Sequence, residues 1–224
     1  ELVSEKSLVN ALVGLLATGG STNHTLHIPA IAKAAGILIN WDDFAELSAA
    51  VPLLASVYPS GSADVNQFHD AGGMAYVIKQ LLDGGFLHND VKTVLGYGLD
   101  NYTKYAVLSN EQQLTWIDAF NNDTTILRAV DYPFSNEGGV KLLTGNLGRS
   151  VSKISAIAEE YRYVKAPAQV FHTQDDMLSA YKAGELNKDV VVVLKYQGPR
   201  ANGMPELHKL IPALLSLHDQ GYKV

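Results

Sequence analysis

Upstream of residues 131–139 the apolar side chains of this chain recur at helical spacing, and downstream they fall in short runs bounded by turn formers. That single change of period restricts the chain to a mixed α/β architecture in two parts. Leu8, Val9, Leu12, Val13 and Leu16 line one helix face, with Ser4 placed to cap it and Gly19-Gly20 to end it. A second helix is expected to open within Ser21-Thr22-Asn23-His24 and run through Ile28 and Ile31 to Gly36, with Pro29 accommodated in its first turn. Residues 41–51 and 73–82 read as further amphipathic helices. Residues 86–129 read as helical or irregular, with no strong strand signal. Beyond the Pro- and Gly-containing run, strands are expected at 141–143, 152–157, 168–171 and 190–196. Helices are expected at 175–183 and 205–219, closed by Gly184 and Gly221. The last three residues, Tyr222-Lys223-Val224, resume an extended pattern, as at the start of another strand. The fold class is thus α/β: residues 1–133 form the helix-rich end of an α/β domain, and residues 134–224 the first part of a β-rich, barrel-like domain.

Composition narrows the partners. The net charge is −6, and the 17 Lys and Arg are scattered rather than gathered on one segment, which leaves no cationic surface for nucleic acid. No apolar run approaches the ~20 residues of a membrane span, and the first residues do not read as a secretory leader. A cytoplasmic protein without a membrane partner is the expectation. Cysteine is absent. Disulfides, thiol nucleophiles and an iron–sulfur cluster held by this segment alone are therefore excluded.

Three polar segments could carry chemistry. Gly19-Gly20-Ser21-Thr22-Asn23-His24 joins a flexible turn to three short hydrogen-bonding side chains, at a helix start whose free N–H groups would favour an anion. An ordinary capped helix–helix turn would have the same composition. Gly145-Asn146-Leu147-Gly148-Arg149-Ser150 carries an arginine suited to paired hydrogen bonds with carboxylate or phosphate, and Lys153 follows three residues on. It lacks the Gly-Lys-Ser/Thr ending of a nucleotide-binding loop, and taken alone it reads more readily as a β-turn with a solvated arginine. The run from Gln197 to Glu206 links an apolar strand to a helix and presents Arg200 and Glu206. Glu206 reads either as a Mg²⁺ ligand or as an acidic residue in the helix's first turn, complementing its dipole. His24 and His27, three apart and without a third ligand, do not make a zinc site.

In order and spacing, GGSTNHTLHIPAIAKAAGI (residues 19–37), LLTGNLGRSVSK (142–153) and QGPRANGMPELHKL (197–210) resemble the family that contains dihydroxy-acid dehydratase, phosphogluconate dehydratase and related sugar-acid dehydratases. Arg149, the Arg200-Ala201-Asn202 run, His24 and Ile39-Asn40-Trp41-Asp42-Asp43-Phe44 look like the phosphogluconate branch. The resemblance implies the later part of a cluster-binding N-terminal dehydratase domain, followed by part of a swivelling-barrel C-terminal domain. It implies an internal segment of a hydro-lyase acting on a small sugar-acid phosphate, with an iron–sulfur cluster whose cysteine ligands lie outside this chain, and with Mg²⁺. By the same resemblance Ser21, Thr22, Asn23, His24, Arg149, Lys153 and Arg200 are substrate-binding candidates, Glu206 is the metal-ligand candidate, and a homodimer is expected. The proton-abstracting serine of the family is expected after Val224, so these 224 residues alone should be inactive. A dehydratase for dihydroxy or unphosphorylated aldonic acids is the alternative within the family, and a non-catalytic ligand-binding module the alternative outside it.

Overall fold

A computed structural model describes residues 1–203 and 206–224. It divides into two compact units, residues 1–158 and 159–224. The fold is mixed α/β, as the change of period requires.

In the first unit, helix α1 (Glu5–Thr18) begins where expected. Ser4 Oγ accepts from the Ser7 N–H at 3.3 Å, and Ser7 Oγ accepts from the Ser4 N–H at 2.8 Å. It ends on Gly19, whose φ of 56° lets the Gly20 N–H reach back to Leu15 O at 2.9 Å. Helix α2 (His24–Ala34) starts late enough that Pro29 falls in its second turn, not its first. Helices α3 (Trp41–Ala50), α4 (Val65–Asp70) and α5 (Gly73–Asp83) follow. The apolar stripe of α1 is split between two clusters. Leu8, Leu12 and Leu15 pack with Ile28, Ala32 and Phe44, while Val13, Leu16 and Ala17 pack with Leu54, Val77, Leu81 and Leu127. Segment 51–55 is wholly buried and satisfies its backbone against two others: Leu54 N–H donates to Ala17 O (2.7 Å) and Leu53 N–H to Ser135 O (2.9 Å).

The stretch 86–129 departs from expectation by containing two antiparallel hairpins, β1 (Lys92–Thr93) with β2 (Gly96–Tyr97) and β3 (Lys104–Leu108) with β4 (Leu114–Asp118). A third hairpin, β5 (Lys141–Gly145) with β6 (Gly148–Ser152), closes on a two-residue turn at Asn146-Leu147. The strand expected at 152–157 therefore lies earlier in the chain, and Ile154–Ala156 form a 3₁₀ turn. Residues 134–158 belong to the first unit. Val140 is buried in its core, and its carbonyl accepts from the buried Ser48 Oγ at 2.5 Å.

In the second unit, β7 (Ala168–Phe171) and β8 (Val191–Leu194) pair in parallel through helix α6 (Gln174–Lys182), which Thr173 caps. Short helix α7 (Pro199–Asn202) follows β8. The helix expected at 205–219 begins only at Ile211 (α8, Ile211–Asp219), after a 3₁₀ turn at His208–Leu210. Pro212 explains the shift: inside a longer helix its ring would clash with the preceding turn, whereas the first turn has no use for its missing N–H. The expected position of Pro205 lies outside the described residues. Met177, Leu186, Val190 and Leu217 form the core of this unit. The extended residues after Gly221 lie beside Val190, whose N–H donates to Lys223 O at 3.0 Å. Every sheet among the described residues has two strands, and no described helix is long and apolar enough to cross a membrane.

Candidate functional site

Two of the three polar segments belong to the first unit, where the start of one, Gly19, is packed beside Ser155, which follows the other. Gly19, Ser60, Gly139 and Ser155 come from four separate stretches and touch. Ser60 Oγ and Ser155 Oγ are 2.8 Å apart, and Ser155 N–H donates to Gly139 O at 3.3 Å. A Cβ on Gly139 would stand 2.9 Å from Gly19 Cα, so both positions need glycine for the chains to approach. This junction fixes the turn before Ser21 against the chain two residues after Lys153.

Within residues 21–25 the backbone is largely self-satisfied. His24 N–H donates to Ser21 O (3.1 Å), Thr25 N–H to Thr22 O (2.9 Å) and Asn23 N–H to Ser21 Oγ (3.2 Å). The free N–H groups expected to attract an anion are thus already used within the turn, which corrects that expectation. What the turn presents instead is side chains. Ser21, Thr22 and His24 are exposed and Asn23 half-buried. His24 Nδ1 lies 3.2 Å from Ser21 O; a carbonyl only accepts, so Nδ1 carries the proton and Nε2 of the neutral ring is left as an acceptor.

Arg149 leads β6 out of its turn and forms an ion pair with Asp42 in the first turn of α3. Both partners are about half exposed, so the pair contributes at most ~1 kcal/mol and leaves the guanidinium open to exchange. Lys153 is different. It is half-buried, has no ion-pair partner among the described residues, and burial holds its ammonium below the usual lysine range. A desolvated cation without a counterion is a natural seat for an anion.

In the second unit, Arg200 is exposed on α7. Glu206 stands outside any helix, five residues before α8, so the helix-dipole reading does not apply to it. Its carboxylate lies 2.9 Å from His208 Nε2, and its carbonyl accepts from Gln174 Nε2 at 3.4 Å. Among the described residues no group of three His, Asp or Glu side chains could hold a metal ion, so Glu206 offers one carboxylate rather than a site.

Sequence reasoning missed a cleft of about 360 Å³ at the carboxyl ends of β7 and β8, lined by His172, Gln174, Asp175, Tyr196, Asn202 and Lys209 among others. Carboxyl ends of parallel strands are where α/β folds place ligands, so the strand–loop–helix order at 168–175 was the available signal. Lys209 Nζ holds Asp175 at 2.8 Å and keeps its carboxyl below the ordinary aspartate range. Tyr196 takes a left-handed backbone, φ 60°, and meets the His172 ring at 5.6 Å.

Residues 1–102 match the model of the dihydroxy-acid/6-phosphogluconate dehydratase N-terminal domain, and residues 125–224 that of the C-terminal domain. Over the whole chain the sequence is 57% identical to a phosphogluconate dehydratase of Zymomonas mobilis and 50% identical to one of Escherichia coli K12. It is 33% identical, over 96% of the chain, to a dihydroxy-acid dehydratase of Roseiflexus castenholzii. The chain spans about 37% of the length of the two phosphogluconate dehydratases and 36% of the third protein. With both domain models matched in order and whole-chain identity at this level, the chain belongs to the dihydroxy-acid/6-phosphogluconate dehydratase family.

Proposed function

We propose that this chain is part of a hydro-lyase that dehydrates 6-phospho-D-gluconate to 2-dehydro-3-deoxy-6-phosphogluconate. The observation that carries the reading is the contrast in identity, 50–57% with proteins named phosphogluconate dehydratase against 33% with a dihydroxy-acid dehydratase. A small sugar-acid phosphate as substrate goes with a cytoplasmic enzyme. In the reaction a proton leaves C2, hydroxide leaves C3, and the enol tautomerises to the 2-keto acid.

The residues of this chain serve binding and orientation. Lys153 and Arg149 supply positive charge for the phosphate: the first is desolvated and has no ion-pair partner among the described residues, the second is paired with an exposed carboxylate that a dianion can displace. Ser21, Thr22, Asn23 and His24 supply hydroxyl, amide and imidazole groups for the polyol, with His24 Nε2 able to accept from a hydroxyl. Arg200, with the cleft at the ends of β7 and β8, is the second unit's contribution to substrate binding. An iron–sulfur cluster and Mg²⁺ belong to the proposal through the family resemblance. With no cysteine the chain cannot ligate the cluster itself, and Glu206 would give Mg²⁺ a single carboxylate. The base that takes the C2 proton is assigned to none of these residues.

Arg149→Ala in the longer protein tests the substrate. Loss of a charge-assisted pair to phosphate of about 1.5–3 kcal/mol raises KM for 6-phosphogluconate roughly 10- to 150-fold, and leaves KM for gluconate nearly unchanged. Equal effects on both substrates would remove phosphate recognition from Arg149. Faster turnover of a branched-chain dihydroxy acid than of 6-phosphogluconate by the unaltered enzyme would refute the substrate itself.

A further inference from the structure

The segment that leaves β8 carries Arg200 and Asn202 on α7 and reaches Glu206, and one side chain links its two ends. Gln174 stands at the first position of α6, where Thr173 and Asp176 already cap the helix, so its amide is not needed for capping. Gln174 Nε2 lies 3.2 Å from Gln197 Oε1 and 3.4 Å from the carbonyl oxygen of Glu206. Backbone carbonyls, which only accept, fix both amide orientations. Gln174 turns its nitrogen to Glu206 O, and Gln197 turns its own to Lys195 O at 3.2 Å, which leaves Gln197 Oε1 to accept from Gln174. Beside this bridge Asp175 holds Lys209 Nζ at 2.8 Å, so the chain after Glu206 is tied to the same end of α6.

The arrangement does not serve stability. Gln174 Oε1 is buried and accepts from no group among the described residues, a state that an apolar side chain of the same length would avoid. Tyr196, where the segment begins, holds a left-handed φ of 60° that a residue with a Cβ adopts only under strain. Both residues line the cleft at the carboxyl ends of β7 and β8, together with Asn202. Two unfavourable features of different origin at one cleft indicate a place shaped for a ligand. We propose that Gln174 is a positioning residue, which joins the two ends of segment 197–206 and so holds Asn202 at the cleft, with Arg200 on the same short helix, for the sugar-acid phosphate. Its role toward substrate rests on the reading given under Proposed function, whereas the bridge rests on these contacts alone. A segment fastened at both ends has less freedom to lose when a ligand binds, so releasing it weakens binding more than the chemical step.

The test uses the full-length enzyme with Gln174→Met, which keeps the length of the side chain and removes both polar atoms, with Gln197→Leu, and with the two combined. Hydrogen exchange read by mass spectrometry should show the amides of 197–206 exchanging roughly tenfold faster in Gln174→Met, and those of β7 and β8 unchanged. Tm should hold or rise, because a buried unmatched acceptor is gone. KM for 6-phosphogluconate should rise roughly tenfold while kcat changes by less than about twofold. Gln197→Leu should reproduce the faster exchange and the raised KM, and the combined variant should add little to either, since the two amides make one bridge. Unchanged exchange in 197–206 would overturn the bridge whatever the substrate is. A loosened segment with unchanged KM, or a lowered Tm with kcat and KM both intact, would overturn the positioning role and make Gln174 a packing residue. Faster exchange in an enzyme that, unaltered, does not turn over 6-phosphogluconate would support the bridge and refute the substrate.

Discussion

Replacing Gly139 by alanine should weaken the first unit more than any contact of that single methyl could repay. A Cβ there would lie 2.7 Å from Ser155 Oγ and 2.9 Å from Gly19 Cα. The hydroxyl can rotate away, but Gly19 Cα is backbone and is held where α1 ends. Relief therefore requires the α1 terminus and the segment before β5 to part, against the Gly139 N–H bond to Leu16 O and the Ser155 N–H bond to Gly139 O, each 3.3 Å. Overpacking of this kind costs about 1–3 kcal/mol, which lowers Tm by roughly 2–12 °C for a chain of this size. Gly14 is the control. It lies inside α1, and a Cβ there meets nothing within 4 Å, so Gly14→Ala should gain about 0.5–1 kcal/mol by restricting the unfolded chain. Calorimetry of both variants beside the unaltered protein decides the matter. If Gly139→Ala melts at or above the unaltered protein while Gly14→Ala is stabilised, the close approach at this junction is not what the structure indicates.

Two further substitutions probe the site. Lys153 has a folded pKa below its unfolded value, so between the two the unfolded chain binds more protons and stability rises with pH up to the ordinary lysine pKa. Lys153→Met should therefore stabilise the protein at pH 7, flatten that alkaline rise in urea titrations, and weaken binding of 6-phosphogluconate; an unchanged pH profile would refute the desolvated lysine. Glu206→Gln in the longer protein should leave the fold intact, since Glu206 lies in no helix turn, while lowering bound Mg²⁺ by metal analysis together with turnover. Unchanged metal content would leave Glu206 as the partner of His208 and nothing more.

What the sequence disclosed depended on whether the deciding force was local. Helix α1 was legible because its stripe, its Ser4 cap and its Gly19 stop all lie within sixteen residues. The hairpin at 104–118 was hidden because its turn carries no glycine: Gln112 itself takes the left-handed conformation at φ 59°, where a glycine or asparagine would have announced the turn. Pro212 was the overlooked local signal that moves the start of α8 and takes Glu206 out of it. The candidate residues were visible as types, yet their environments were not. That Arg149 rests on Asp42, 107 positions away, and that Lys153 is desolvated, are products of packing that no local pattern contains.

The junction at Gly19 also constrains how the chain is made. Leu16 and Ala17 belong to a core that is closed by Val140, and Ser48 meets its carbonyl partner 92 residues later. At a synthesis rate of about 5–20 residues per second, roughly 6–25 seconds separate the emergence of α1 from that of the segment that seals it. During that interval the face of α1 that carries Val13, Leu16 and Ala17 lacks its final cover and remains an apolar surface that a holding chaperone can bind.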